Sequence, residues 1–420
     1  MTMRVAVVGA GIVGVTTAHE LAASGQEVTV FERRGSVAAE ASFANGGVVS
    51  PARVLPWAGP GMPWKLLRQL LDPQAPVHLG GWGAVAQLPW MWRWWRACRP
   101  PSSAAHGAAM QRLAHFSRLR LLELTRALRL DYEQMPGLLV LLRTERELAR
   151  AQHGLGLLRD EGVAHDVVSA SRCRDIEPGL NPDASLFAAI HLPRDGVGNC
   201  RQFAHLLKAE AQRLGARFRF DTDVRDLHPG TRPSLSTVDG QRHDFDAIVL
   251  CAGAPSRAVL ASIGLKLPLA AIHGYSITAP LRHTDGHPTP GPRAVVLDEA
   301  HEVTIARLGQ RIRVAGGTEI GGRPDRHDPA PLRSLYRVLD DWFPGAALTH
   351  QAQHWKGARP MLPDGPPVLG ESGAPGIWLN LGHGASGWAL ACGSATVLAE
   401  RIAGREAPLD TSGLGVERLR

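Results

Sequence analysis

The chain opens on Val5-Ala6-Val7-Val8, an apolar and mostly β-branched run without polar alternation. That pattern predicts a strand buried on both faces, as in a parallel sheet. Gly9-Ala10-Gly11-Ile12-Val13-Gly14 follows, and the spacing from Val15 to Ala23 predicts a helix that stops at Ser24-Gly25. A second strand is predicted over 26–31, closed by Glu32. Much later, Phe218-Arg219-Phe220 alternates like a strand and Asp239-Gly240 signals a hairpin turn. Asp246 to Cys251 predicts another buried strand, ending in Ala252-Gly253. The stretches 302–306 and 311–314 alternate as antiparallel strands do. Glycine-rich Asn380 to Trp388 then precedes an apolar helix predicted over 389–402. No internal repeat or low-complexity tract interrupts this order.

The first three elements together carry chemistry. A strand, a GxGxxG turn and a helix form the unit that binds a dinucleotide. Gly9 allows the tight turn, Gly11 lets the backbone approach a pyrophosphate, and Gly14 lets helix and strand pack closely. The helix N-terminus offers free N–H donors and a positive dipole end to the phosphates. Glu32 lies about 20 residues beyond the glycines, where an acid accepts ribose hydroxyls. An acid suits the ribose of NAD or FAD and disfavours the 2′-phosphate of NADP.

Three later signals favour FAD. Small residues from Ala41 through Ser42, Asn45, Gly46 and Gly47 can run extended beside a long cofactor. The Ala252-Gly253 strand end lets backbone pass beside a nucleotide, although a plain strand-to-loop junction has the same look. The loop holding Gly382, His383, Gly384, Ser386, Gly387 and Trp388 presents a helix N-terminus, which stabilises the negative charge of a reduced flavin. An NAD site has no use for this last element.

Composition narrows the class without changing the picture. The chain has 420 residues, 44% hydrophobic and 20% charged, which is the profile of an ordinary globular protein of about two domains. The net charge of +7 comes from scattered arginines rather than a basic block, so nucleic-acid binding is not indicated. The five cysteines show no CxxC spacing and are expected as reduced thiols in a cytoplasmic protein. The histidines show no metal-ligand spacing, so no metal is expected. Neither an export signal nor a membrane-spanning run of about 18 apolar residues is visible.

Five segments together carry a family resemblance: the VVGAGIVG opening, SFANGGVVSP, HGYSIT at 273–278, WKGARPMLPDGPPVLG at 355–370 and NLGHGASGWALACGS at 380–394. Across nearly the whole chain it resembles the FAD-containing bacterial D-amino acid dehydrogenases of the wider D-amino acid oxidase and glycine oxidase superfamily. The resemblance implies an α/β fold: a discontinuous Rossmann-type FAD domain, glutathione-reductase-like, with an α+β antiparallel-sheet substrate domain. The expected segments are 1–80, 160–265 and 355–420 for FAD, and 81–159 and 266–354 for substrate. Candidate cofactor contacts are Gly9, Gly11, Ile12, Val13, Gly14, Glu32, Arg33, Ser42, Asn45, Gly46, Gly47, Val224, Ala252, Gly253, Arg359, Gly382, His383, Gly384, Ser386, Gly387 and Trp388. His383 either bonds the flavin or caps the helix that follows.

In the superfamily the arginine of this motif anchors the substrate carboxylate, so Arg359 is expected to do so through two parallel hydrogen bonds. Tyr275, one of three tyrosines, is either a second donor to that carboxylate or a core residue. His273 stands where the family commonly has lysine; this bears on substrate preference and makes His273 a testable base. The implied reaction moves hydride from the α-carbon of a D-amino acid to flavin N5, and water then releases ammonia and a 2-oxo acid. D-Hydroxyproline, sarcosine or glycine is the alternative substrate, and a non-catalytic flavin-binding subunit is the alternative of another class. A quinone or other respiratory acceptor is the implied electron partner.

Of 11 tryptophans, seven fall between residues 57 and 95, densest in Leu88-Pro89-Trp90-Met91-Trp92-Arg93-Trp94-Trp95-Arg96. Tryptophan interleaved with arginine suits peripheral contact with the inner face of the cell membrane. The same pattern also suits a hydrophobic wall of the substrate domain.

Overall fold

The computed structural model describes residues 2–69, 75–160, 162–282 and 291–419. Arg4–Val8 lies inside a six-stranded sheet, parallel to Glu27–Phe31 on one side and Ala247–Leu250 on the other. Arg217–Arg219 extends the first side; Ile377–Leu381 and the antiparallel Val368–Glu371 extend the second. The unbroken apolar run follows from burial on both faces. Val5 and Val7 pack against the helices Ile12–Ala23, Cys200–Arg213 and Gly387–Ile402. Ala6 and Val8 pack the other way, against Leu227, Leu235 and Phe245 around a three-stranded antiparallel sheet. The Asp239-Gly240 turn joins two strands of that small sheet. The first helix begins at Ile12, earlier than its periodicity suggested, because Gly14 within its first turn interrupts the apolar pattern.

A ten-stranded sheet forms the second body. Its order runs Gln353–Met361, Ala270–Pro280, Arg311–Ile320, Val303–Leu308, Val295–Asp298, Met135–Leu142, Ala188–Val197 and Val48–Val49. Val77–Leu79 and Asp166–Ser169 pair alongside. The stretches 302–306 and 311–314 are neighbouring antiparallel strands, as their alternation predicts. Ile277, Ile312 and Val314 point to one face and are covered by Leu335, Val338 and Trp342 of the helix Pro329–Trp342. On the opposite face Ser276 donates to the carbonyl of Ala44 at 2.7 Å, which joins this sheet to the loop after the nucleotide unit.

The sheets divide the chain differently from the segments expected. Strands 166–169, 188–197 and 353–361 pair within the ten-stranded sheet. Conversely, the long helix Pro100–Ala127, expected on the substrate side, sets Leu121 and Leu124 into the cluster under the six-stranded sheet. Strand pairing at such sequence separation leaves no local mark.

The tryptophan segment is both a wall and a surface. In the helix Leu88–Ala97, Trp90 and Trp94 lie four residues apart on the buried side, with Trp57 stacked on Trp90 and tilted against Trp94. Trp92 and Trp95 point out, joined by Trp64 and by Trp82, which is 90% exposed. Among the described residues no helix is long and apolar enough to cross a membrane, and no cluster of metal-ligating side chains occurs. All five cysteines are buried free thiols.

Candidate active site

One cavity of about 780 Å³ runs from Glu32 past the first helix to Arg359, between the two bodies. At its nucleotide end Gly9 has φ +100°, and a Cβ there would lie 2.8 Å from the carbonyl oxygen of Cys251. A Cβ on Gly14 would meet the carbonyl oxygen of Gly9 at 1.8 Å, so these two glycines are required by packing. At Gly11 the nearest heavy atom to a Cβ is Ser42 Oγ at 3.6 Å. The protein itself therefore leaves Gly11 room for a side chain, and its bare face borders the cavity. Ser42 Oγ accepts from the Ile12 amide at 3.0 Å and so caps the helix from outside. The remaining amides of that first turn lack intrahelical acceptors.

The Glu32 carboxylate accepts from the Ala10 amide at 2.6 Å and from the Arg34 amide at 2.8 Å. Burial raises its pKa and the two amides pull it back. Each oxygen keeps a lone pair for a further donor. Arg33 spends its guanidinium on Glu40 at the rim. Asn45 Oδ1 accepts from the Gly47 amide at 3.1 Å, and the Trp388 indole donates to the Gly47 carbonyl at 3.2 Å. These bonds hold the Ser42–Gly47 loop against the cavity.

Most of the residues singled out from sequence line this one space. Gly9, Gly11, Ile12, Val13, Glu32, Arg33, Ser42, Asn45, Gly46, Gly47, Val224, Ala252, Gly253, Gly382, His383, Gly384, Gly387 and Trp388 surround it, with His273, Tyr275 and Arg359. Gly14 and Ser386 do not. Gly14 serves packing, and Ser386 sits in the short turn before the last helix.

His383 is buried, and burial pushes its pKa down to about 3. Ser394 gives its proton to the Leu390 carbonyl, so it accepts from His383 Nε2 at 3.1 Å. That assignment leaves Nδ1 as an acceptor. The ring is thus neutral and pinned to the last helix.

At the far end, Arg359 lies flat over Gly274, where a Cβ would come within 2.2 Å of Nη2. The glycine of the His273-Gly274-Tyr275 motif is therefore what admits the guanidinium. Among the described residues its one hydrogen bond runs from Nη1 to Thr318 Oγ1 at 3.3 Å, and no carboxylate comes within ion-pair distance. Burial lowers its pKa from the ordinary 12.5. A half-buried guanidinium that lines the cavity with most of its donors unspent suits an anion.

Tyr275 does not join it. Side chains alternate along the strand, so Gly274 and Tyr275 point to opposite faces. Tyr275 donates to Glu319 Oε2 at 2.6 Å and accepts from the Asp328 amide at 3.1 Å. Its single proton is committed, and the role of second donor to the carboxylate is not formed in this geometry. Burial and the Glu319 carboxylate hold its pKa well above the usual tyrosine range.

Glu319 and Lys356 were not singled out from sequence. Lys356 Nζ is 2.7 Å from Glu319 Oε2 and also donates to the carbonyls of Arg323 and Arg326, with a side chain only 1% exposed. The register Tyr275↔Lys356 creates this triad. The one available signal was that Lys356 stands three residues before Arg359 in a strand. His273 shares that face; its Nδ1 is buried without a partner, and burial followed by the Lys356 charge lowers its pKa. It is a neutral acceptor at the cavity wall.

The sequence matches the family model DAO, "FAD dependent oxidoreductase", over residues 4–401. It is 40% identical to D-amino acid dehydrogenase of Cereibacter sphaeroides (strain ATCC 17023), over 99% of this chain and 95% of that protein. It is 36% identical to D-amino acid dehydrogenase of Rhizobium rhizogenes, over 99% and 100%. Glycine oxidase from Geobacillus kaustophilus shares the fold with a TM-score of 0.77 at 21% identity, covering 99% of both chains. The bare face of Gly11, the open lone pairs of Glu32 and the length of the cavity fit the dinucleotide that this match requires. The chain therefore belongs to the DAO family of FAD-dependent oxidoreductases and is an FAD enzyme.

Proposed function

We propose that this enzyme oxidises D-amino acids to 2-oxo acids and ammonia and passes the electrons to a respiratory acceptor such as a quinone. The observation that carries this is Arg359: a half-buried guanidinium without a carboxylate partner among the described residues, in the cavity that FAD would fill. The named relatives point the same way.

The first helix turn, Glu32 and the Ser42–Gly47 loop would hold the nucleotide and ribose, with the Gly382–Gly387 loop beside the ring. Bound FAD supplies a two-electron acceptor for the hydride of the α-carbon. Arg359 takes the carboxylate and fixes the α-carbon, which supplies most of the rate by orientation. The ammonium must lose a proton first; His273 Nδ1, neutral and unpartnered, lines the same cavity from the sheet face opposite Arg359, and His273→Ala tests it as the acceptor. The substrate so loses a hydride and a proton, and water converts the imino acid to ammonia and the 2-oxo acid. Anaerobic bleaching of the purified yellow protein by D- and L-amino acids, glycine, sarcosine and D-hydroxyproline tests the reading. Bleaching by D-amino acids is expected. Bleaching by glycine or sarcosine alone moves the assignment to the alternative amine substrates, and bleaching by none makes the chain a non-catalytic flavin subunit.

The outward tryptophans 64, 82, 92 and 95, with Lys65, Arg93 and Arg96 beside them, support peripheral docking on an anionic membrane, where a quinone is at hand. Trp92→Ser/Trp95→Ser tests this by flotation with anionic vesicles, because both rings are exposed whereas Trp94 is core. The unaltered protein floats and the variant sediments; if neither floats, the membrane role is wrong.

A further inference from the structure

Beyond Trp355, on the sheet face that carries Arg359, lies a second cavity of about 390 Å³. The two cavities share Ala44 and Trp355 in their walls. Strand register explains the arrangement. Gly274, Ser276 and Thr278 alternate along one face; Gly274 lies beneath Arg359, and Thr278 pairs with Arg313.

Arg313 is 6% exposed. It donates Nε to Thr278 Oγ1 at 2.9 Å and Nη1 to the Asn45 carbonyl at 3.2 Å. Arg201 stacks on the Phe43 ring at 4.1 Å, and its Nε is buried without an acceptor. Arg311 is the third cation, and Glu133 is the one carboxylate among the described lining residues. Glu133 is already spent on Arg311 at 2.8 Å and on Asn199 Nδ2 at 2.6 Å. Arg313 and Arg201 are thus left with no carboxylate within ion-pair distance among the described residues. Burial and then Arg311 lower the Arg313 pKa to about 10, which still leaves it charged at neutral pH. A buried charge without a counter-ion is costly unless something pairs with it.

The geometry points to a second oxyanion site, in which Arg313 and Arg201 together take a small carboxylate or a phosphate. Planar guanidinium groups match both. The site stands independently of which amine the first cavity oxidises. An anion there would share Arg313 with the Asn45 carbonyl, next to Gly46 and Gly47 in the first cavity.

The test is titration calorimetry on FAD-loaded protein carrying Arg359→Leu, with pyruvate in one arm and inorganic phosphate in the other. Arg359→Leu removes the anchor of the first cavity, and bound FAD covers the phosphate cradle. One anion site per chain is expected, weakened about tenfold or more by adding Arg313→Met, which is about 1.4 kcal/mol. Arg201→Met, at a side chain with no hydrogen bond to the sheet, gives the same loss if Arg313→Met does not fold. Binding of pyruvate alone identifies a carboxylate site, and binding of phosphate alone a tetrahedral one. Absence of binding by both anions, or binding unchanged by Arg201→Met, overturns the assignment.

Discussion

At the nucleotide end of the cavity the contacts come from backbone: the first turn of a helix, two glycines pressed together, and a carboxylate held by two amides. At the substrate end they come from side chains on three strands, Arg359 on one face and Tyr275, Glu319 and Lys356 on the other. The first end is carried mostly by one stretch of sequence, residues 9–47, and suits the nucleotide that FAD and NAD share. The second exists only through strand register and decides what is oxidised. Substitutions should therefore separate the two ends: changes at the first move cofactor retention, and changes at the second move stability of the sheet and turnover.

The largest effect is expected at the triad. Lys356→Met leaves the Glu319 carboxylate buried with only Tyr275 as a side-chain partner, which costs about 3–5 kcal/mol. Denaturant unfolding of the FAD-loaded protein measures it. The double change Lys356→Met/Glu319→Gln should recover part of the loss. A single-variant loss below about 1 kcal/mol would mean that the three backbone and side-chain bonds of Lys356 are not what hold this corner.

Next comes Arg359→Leu. Removing the partner of a desolvated carboxylate costs about 3–4 kcal/mol, or roughly 100- to 1000-fold in kcat/KM. FAD content should stay at one per chain. Arg359→Lys should fall between, because an ammonium cannot reproduce the bidentate geometry. Equal kcat/KM for Arg359→Leu and the unaltered protein would show that the carboxylate binds elsewhere.

The glycines give the sharpest contrast within one motif. Gly14→Ala drives a methyl to 1.8 Å from the Gly9 carbonyl and should destabilise the apo-protein by about 3 kcal/mol. Gly11→Ala meets nothing closer than 3.6 Å and should leave apo stability within about 0.5 kcal/mol while FAD is lost on dilution. Apo Tm and retained flavin absorbance distinguish the two. If Gly11→Ala keeps its FAD, the cofactor does not approach that face.

What was legible in the sequence follows the same division. The motif from Gly9 to Gly14 and Glu32 was readable because local geometry and a fixed spacing define it. Arg359 was readable only through family resemblance; no pattern within the chain says that Gly274 clears its place. Tyr275 was nominated by rarity and motif, yet strand alternation turns it from the carboxylate toward Glu319. Glu319 was invisible because the bulge between His273 and Tyr275 that aligns it depends on a partner strand about 40 residues away. The tryptophan segment was ambiguous because helical periodicity divides it, sending Trp90 and Trp94 inward and Trp92 and Trp95 outward.

His383 stands where the two ends meet, and its effect is the smallest and the most specific. Its folded pKa of about 3 lies below the ordinary 6.5, so between those values the unfolded chain binds a proton that the folded chain refuses. Its contribution to stability is complete above pH 6.5 and is lost as pH falls toward 3, with a slope of up to about 1.4 kcal/mol per pH unit. Gln at this position places an amide nitrogen where Nε2 lies and can still donate to Ser394, but does not titrate. Denaturant midpoints of the apo-protein from pH 7 to pH 4.5 should therefore fall more steeply for the unaltered chain than for His383→Gln. Other buried histidines, His273 among them, contribute to both curves and cancel in the difference. Parallel curves would mean that the ring is protonated in the folded state. A neutral, pinned His383 could then no longer be the fixed point between a cofactor end built of backbone and a substrate end built of side chains.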